Sequence, residues 1–128
     1  MTNKSLKNFP EFIQKLEASE LLFIVEGKKD ERALRKLKVE NIEVLKGPIF
    51  SFIERIAKSN RKVVILTDLD SEGKKLYSIL TRGLSERGVI IDNYFREYLF
   101  NNTKLRQIEG LDSYISKSEI FRKNSAKR

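Results

Sequence analysis

The amino-acid sequence predicts an α/β protein with a mainly parallel, four-stranded sheet and helices on both faces of that sheet. Four short apolar runs, typical of buried strands, alternate with longer segments whose apolar residues recur at helical spacing. The strand runs are apolar at nearly every position, which is the pattern of strands covered on both faces. Strands that alternate with helices in this way are joined by right-handed crossovers and therefore run parallel.

The boundaries of the elements follow from apolar spacing and from residues that start or stop helices. The predicted strands cover 21–25, 42–45, 62–66 and 89–92, the last with an extension towards Phe95. The predicted helices cover 1–19, 28–37, 48–59 and 72–87. Pro48 suits the first turn of the third helix, and Gly88 is a stop signal for the fourth.

The chain of 128 residues is long enough for one domain with a substantial core. We divide it into a leading helix (1–19), a core (20–95), a C-terminal extension packed on the core (96–116) and a basic, flexible tail (117–128). The apolar pattern of the extension is mixed over 96–105, and a short helix is expected within 107–114.

The composition restricts the chemistry that the chain can perform. It contains no cysteine and no histidine, which excludes disulfides, zinc fingers and catalysis by Cys or His. Any bound metal ion must be held by oxygen ligands. Such ligands point to Mg²⁺, Mn²⁺ or Ca²⁺.

The charge of the chain favours a polyanionic partner. Lys and Arg number 26 against 18 Asp and Glu, a formal net charge of +8. Such an excess strengthens binding to nucleic acid through counterion release, although charge alone does not distinguish RNA, DNA and a membrane surface. No apolar run approaches the ~20 residues of a membrane span, and the polar amino terminus does not resemble a secretory signal. We therefore expect a cytoplasmic protein with no membrane partner.

Acidic residues follow two of the predicted strands. Glu26-Gly27 comes directly after the first strand, and Asp68, Asp70, Glu72 and Gly73 follow the third. Parallel strands present their carboxyl ends at one edge of the sheet, where open α/β sheets bind ligands. If the first and third strands are neighbours, these carboxylates converge on a site for a hard cation. Gly73 would let the backbone approach a phosphate or an ion.

A purely structural role explains the same acids one at a time. Asp70 or Ser71 would cap the fourth helix, and an acid such as Glu72 is common in a first helical turn because it complements the helix dipole. That explanation accounts less well for the whole set, which lies at the ends of two separate strands.

These residues resemble the two signatures of the Toprim domain. The first is Leu22-Phe23-Ile24-Val25-Glu26-Gly27-Lys28-Lys29-Asp30, and the second is Ile65-Leu66-Thr67-Asp68-Leu69-Asp70-Ser71-Glu72-Gly73. Toprim domains occur in type IA and type II topoisomerases, bacterial-type primases, overcoming-lysogenization-defect-type nucleases, 5S ribosomal RNA maturation nucleases and small stand-alone proteins. The resemblance covers about 20–95 and implies a Rossmann-like fold.

The resemblance also implies roles for individual residues. Glu26 takes the place of the family's general acid or base, Asp68 and Asp70 match the pair that binds Mg²⁺, and Glu72 matches a third acid of the topoisomerase form. Basic residues near the two motifs would grip a phosphate backbone, with a solvated helix face as the alternative; they are Lys28, Lys29, Arg32, Lys74 and Lys75. The implied function is Mg²⁺-dependent phosphodiester chemistry on RNA or DNA, in RNA processing or DNA repair.

Other functions are compatible with part of this pattern. The alternative hypothesis is a metal-dependent module that binds nucleic acid or a protein partner without catalysis. A topoisomerase's nucleophilic tyrosine, a primase's zinc-binding part and a maturation nuclease's RNA-binding region have no counterparts here, so we expect a minimal core whose further domains would come from a protein partner. A phospho-accepting receiver domain and a D-x-D phosphatase fit less well, because their remaining motifs are missing.

Overall fold

All four strands lie in one parallel sheet in the computed structural model, which describes residues 9–117. The strands are β1 (Leu22–Val25), β2 (Ile42–Val44), β3 (Lys62–Ile65) and β4 (Ile90–Asp92). Their order across the sheet is β2-β1-β3-β4, so β1 and β3 are central neighbours. The predicted α/β class with a parallel, four-stranded sheet is confirmed.

Helices connect the strands and continue beyond β4. They are α1 (Phe9–Ala18), α2 (Lys28–Lys36), α3 (Ile49–Ser59), α4 (Ser71–Ser85) and α5 (Tyr94–Asn102). A 3-10 turn at Ile108–Gly110 and a helical segment over 111–117 follow. Within the described part of the chain, no helix is both long and apolar enough to cross a lipid bilayer.

The sheet has a hydrophobic core on each face. On one face α3 and α4 pack against the strands through residues such as Ile53, Ile56 and Leu80. On the other face α1, α2, α5 and the segment after residue 107 enclose a second core that includes Phe12 and Phe23. Residues along β1 alternate between the two cores, which is why its apolar run is continuous.

Helix α5 is the element that the sequence pattern did not predict. Its buried residues Phe95, Tyr98 and Leu99 have helical spacing, but Arg96 between them is also buried and blurs the pattern. The predicted extension of the fourth strand to Phe95 is therefore wrong. The Asp92 side chain accepts a hydrogen bond from the Tyr94 amide at 3.0 Å and turns the chain from β4 into α5.

The two ends of the chain lie mostly outside the described residues. The leading helix predicted over 1–19 is described from Phe9, where its buried residues Phe9, Phe12 and Leu16 face the core. The helical spacing of the sequence also predicts Leu6 on this apolar face, but Leu6 and nearly all of the tail predicted over 117–128 lie outside the described residues. Helix α1 packs on α5, with the rings of Phe12 and Tyr98 stacked at 4.3 Å between centroids.

Candidate metal centre

The central position of β1 and β3 brings the acidic ends of these strands into contact. Beyond β3, the Leu66 amide donates to the carbonyl of Ile24 at 2.8 Å and prolongs the pairing. Glu26 follows β1 directly, and its Oε2 accepts a hydrogen bond of 2.7 Å from the Asp68 amide. Two residues that are 42 positions apart in the chain therefore meet at one edge of the sheet.

Asp68 is held from its other side by the C-terminal extension. Its Oδ1 accepts a hydrogen bond of 2.8 Å from the amide of Ile108, a fully buried residue in the 3-10 turn. The amide of Leu69 donates to the Arg106 carbonyl at 2.7 Å. The extension therefore fixes both the position and the orientation of the Asp68 carboxylate.

Asp70 has the structural role that we considered as the alternative explanation. It is the N-cap of α4, and its Oδ1 accepts a hydrogen bond of 2.8 Å from the Gly73 amide. In this arrangement Glu26, Asp68 and Asp70 each commit one oxygen to a backbone amide. Within 9–117, the second oxygen of each carboxylate has no hydrogen bond or ion pair.

Asp30 is an acid of this site to which the sequence analysis gave no role. The residue lies in the first turn of α2 and is only 7% exposed, and its carboxylate accepts a hydrogen bond of 3.0 Å from the Gly27 amide. Burial, and then the negative charge of Asp68, raise the pKa of Asp30 to about 6. The signal in the sequence was its position three residues after Gly27, where an acid closes a capping box.

The carboxylates of this site repel one another. Burial is the largest cause that raises the pKa of Glu26, and the charges of Asp68 and Asp70 add to it. Burial is also the largest cause that raises the pKa of Asp68, and the negative charges of Asp70 and Glu109 raise it further. Hydrogen bonds from backbone amides oppose these shifts only in part. A hard divalent cation would relieve this repulsion, so the donor set suits Mg²⁺ or Mn²⁺.

We predict that Asp30→Asn stabilises the protein in metal-free buffer above pH 6. Because the folded state holds the Asp30 proton more tightly than the unfolded state, stability falls as the pH rises from about 4 to about 6. The shift from 3.8 to about 6 corresponds to at most about 3 kcal/mol, and asparagine keeps an acceptor for the Gly27 amide. Urea unfolding at pH 4 and pH 7 with EDTA measures the effect.

The control for this experiment is Asp112→Asn, which removes a half-buried carboxylate whose Oδ2 lies 3.6 Å from Nζ of the exposed Lys36. It should leave the difference between pH 4 and pH 7 as in the unmodified protein. An unchanged pH dependence in Asp30→Asn would show that the Asp30 carboxyl is not destabilised by its surroundings.

Arg96 is a second residue that sequence reasoning missed. Its guanidinium lies beneath the loop after β3 and donates hydrogen bonds to the carbonyl and hydroxyl oxygens of Thr67 and to the carbonyl of Asp68. It also stacks on the ring of Tyr77, with 4.5 Å between Cζ and the ring centroid. Arg96 therefore shapes the backbone that carries Asp68 and Asp70, although it bonds to neither carboxylate.

Gly73 serves packing, and the expectation that it opens space for a phosphate or an ion is wrong. Gly73 is buried, and a Cβ atom at this position would lie 1.9 Å from the carbonyl oxygen of Asp68. Its own carbonyl accepts a hydrogen bond of 2.8 Å from the Thr67 hydroxyl. The glycine closes the acidic loop against the start of α4.

Comparison with known proteins agrees with this geometry. The family model described as the Toprim domain matches residues 21–96, more than half of the chain. The chain belongs to the Toprim family. This membership indicates a metal-dependent role connected with nucleic acid. The match ends at Arg96, so most of the C-terminal extension lies outside the Toprim domain.

Proteins from several organisms are similar to this chain over most of its length. A UPF0292 protein of Methanocaldococcus jannaschii is 34% identical over 80% of this chain and 84% of its own length. A UPF0292 protein of Thermococcus onnurineus is 39% identical over 88% of this chain and 84% of its own. A solved structure of an Aquifex aeolicus protein superposes with a TM-score of 0.72 and 30% identity, over 80% of this chain and 97% of that one.

The other residues predicted for the Toprim site lie at its periphery. The Glu72 side chain is 83% exposed and lies 4.0 Å from Lys75 Nζ, so the structure does not draw it towards Asp68. The ammonium of Lys74 lies 5.0 Å from the ring centroid of Phe100. Three further predicted cations are exposed on α2: Lys28, Lys29 and Arg32. Their roles towards nucleic acid stay predictions.

Within the part of the chain that the structure describes, no three acidic side chains are arranged to share one metal ion. A backbone amide holds each of Glu26, Asp68 and Asp70 in place from one side. Mg²⁺ usually keeps several of its waters and takes only one or two carboxylates from a protein. The Toprim acids therefore suit a partly hydrated ion better than a closed cage.

Proposed function

We propose that this Toprim protein cleaves nucleic acid by Mg²⁺-dependent phosphodiester hydrolysis. One observation carries the proposal: Glu26, Asp68 and Asp70 follow the two central strands at one edge of the sheet, each with one oxygen fixed by a backbone amide and, within 9–117, a second oxygen without a hydrogen bond. Side chains fixed in this way are oriented in advance for a ligand. Asp68 and Asp70 would hold the ion, with Mn²⁺ as a substitute.

Each acid has a separate task in this proposal. Bound Mg²⁺ supplies charge neutralisation and orientation of the phosphodiester. Glu26 moves the proton as general acid or base, because its raised pKa brings it closer to neutral pH and its Oε2 is held by the Asp68 amide. The negative charge of Asp30 interacts with those of Asp68 and Glu26 and favours cation binding. The predicted cations would bind flanking phosphates: Lys28, Lys29, Arg32, Lys74 and Lys75.

Glu26→Gln is expected to lower the cleavage rate by about 100-fold or more, since general acid–base catalysis contributes at least that much. Asp68→Asn is expected to lower it as strongly, because it removes a charged ligand of the ion that neutralises the phosphodiester. Both replacements keep an acceptor oxygen for the backbone amide that the acid binds, so the fold is retained. The assay follows labelled RNA and DNA oligonucleotides with Mg²⁺ or Mn²⁺.

Asp92→Asn is the matched control for these variants. Asp92 also accepts a hydrogen bond from a backbone amide at the carboxyl edge of the sheet, but from Tyr94 at the end of β4. It should keep full activity. If the unmodified protein binds oligonucleotides and cuts none of them with either ion, the protein is a non-catalytic binding module and the hydrolysis proposal is wrong.

A further inference from the structure

The C-terminal extension forms one wall of a cleft beside the acidic site. The cleft has a volume of about 550 Å³, and its lining includes Asp70, Lys104, Arg106, Gln107 and Glu109. Apart from Asp70, these residues lie outside the Toprim match, which ends at Arg96. The cleft therefore combines an acid of the Toprim motif with cations that the motif does not supply.

The wall of the cleft is held in place by backbone hydrogen bonds. The Arg106 carbonyl accepts from the Leu69 amide at 2.7 Å, and the Ile108 amide donates to Asp68 at 2.8 Å. On the other side, the Thr103 hydroxyl accepts from the Leu105 amide at 3.1 Å. Lys104 and Arg106 thus project from a segment that is fixed relative to the acidic loop.

These two cations are not used to neutralise the neighbouring acids. Among residues 9–117, neither Lys104 nor Arg106 makes an ion pair, although both line the same cleft as Asp70 and Glu109. Arg106 instead donates to the carbonyl of Leu105 at 3.0 Å. Both side chains are exposed and keep their charge available for an anion in solution.

An exposed aromatic ring lies beside a further cation, Lys74. Phe100 in α5 is 48% exposed, and Lys74 Nζ lies 5.0 Å from its ring centroid. The Lys74 amide bonds to the Asp70 carbonyl at 2.9 Å, so this pair also borders the acidic loop. An exposed ring beside a cation provides a surface on which unpaired bases stack, while paired bases in a duplex are not available to it.

We infer that a single strand of nucleic acid binds along Phe100, Lys74, Lys104 and Arg106, a surface that we call the extension track, and passes from there to the acidic site. Lys104 and Arg106 bind its phosphates, and Phe100 stacks on one of its bases. The extension thus selects unpaired nucleic acid for the proposed cleavage. The path towards the acids rests on the proposed function, but strand binding itself does not.

Fluorescence anisotropy with labelled single-stranded RNA and DNA, and with duplexes of the same sequence, tests the track in Mg²⁺. We expect Lys104→Ala/Arg106→Ala to weaken binding of a single strand at least 10-fold and to reduce the slope of log K against log salt by about 1.4. Phe100→Leu should weaken it about 5-fold or more. The unmodified protein should bind single strands more tightly than duplexes.

The matched control for charge is Lys58→Ala/Arg61→Ala, which removes two exposed cations at the opposite edge of the sheet, before β3. The control for the aromatic ring is Phe50→Leu, at a ring that is 71% exposed at the start of α3. Both should bind like the unmodified protein. Equal losses in the controls, or duplexes bound as tightly as single strands, would overturn the inference. Loss of binding in the track variants of a protein that cuts nothing would refute only the hydrolysis proposal.

Discussion

Gly73→Ala is expected to lower the free energy of unfolding by about 3 kcal/mol or more, because a methyl group has no room at this position. The Cβ atom would lie 1.9 Å from the carbonyl oxygen and 2.4 Å from the carbonyl carbon of Asp68. Both are backbone atoms, so no side-chain rotation relieves the overlap. Either the acidic loop or the first turn of α4 must move.

Movement of the loop would also disturb the site. The Gly73 amide donates a hydrogen bond to the Asp70 carboxylate, and the Gly73 carbonyl accepts one from the Thr67 hydroxyl. Any Gly73→Ala protein that still folds should therefore respond less to Mg²⁺. Urea unfolding measures the stability, and thermal unfolding with and without Mg²⁺ measures the response.

Gly27→Ala is the control for this prediction. At Gly27 the nearest atom to an added Cβ is Asp30 Oδ2, at 3.8 Å, which is ordinary van der Waals contact. The backbone there is extended, with φ at −147°, so alanine fits without strain. Gly27→Ala should change stability by less than about 1 kcal/mol. Similar losses in both variants would mean that the close approach of Gly73 to Asp68 is not a real constraint.

Arg96→Met is expected to cost about 3–5 kcal/mol of folding stability, because it leaves buried backbone acceptors without a donor. Arg96 is only 7% exposed and bonds to oxygens of Thr67 and Asp68. Methionine fills part of the volume of the arginine stem but donates no hydrogen bond. Bonds from a charged donor contribute about 1.5–3 kcal/mol each, which sets the expected size.

Arg96→Lys distinguishes the charge from the shape of this side chain. Lysine keeps the positive charge that lowers the pKa of Asp68, but it lacks the planar fork that reaches the Thr67 and Asp68 oxygens together. It should recover only part of the loss. Arg82→Met, at an exposed arginine of α4, is the control and should be nearly neutral. A neutral Arg96→Met would show that the acidic loop keeps its shape without the guanidinium.

The sequence was sufficient for the sheet and for the meeting of the acids. The continuous apolar runs of β1 and β3 reveal strands covered on both faces, and acids directly after such strands must share the carboxyl edge of a parallel sheet. That reasoning predicted that Glu26 and Asp68 lie close together. In the structure the Asp68 amide donates a hydrogen bond of 2.7 Å to Glu26 Oε2. The order of the strands, on which the contact depends, came only from the structure.

Contacts from distant segments explain what sequence reasoning missed. The Ile108 amide donates to Asp68, which lies 40 positions earlier in the chain, and no local sequence pattern predicts such a backbone donor. Arg96 lies in a helix of mixed polarity, where an arginine normally faces solvent. Gly73 was read from its motif as an opening, whereas its neighbour is the backbone of the preceding loop. In each case the contacting residue is known only from the three-dimensional structure.

A Mg²⁺ titration followed by thermal unfolding tests most directly whether the acids at the ends of β1 and β3 form a cation site. The midpoint of the unmodified protein should rise with Mg²⁺, since a ligand that binds only the folded state stabilises it. Asp68→Asn keeps the acceptor for Ile108 but removes the charge, so it should be more stable than the unmodified protein in EDTA and show little response to Mg²⁺. Asp92→Asn should respond like the unmodified protein. Equal Mg²⁺ responses in the unmodified protein and Asp68→Asn would contradict the account.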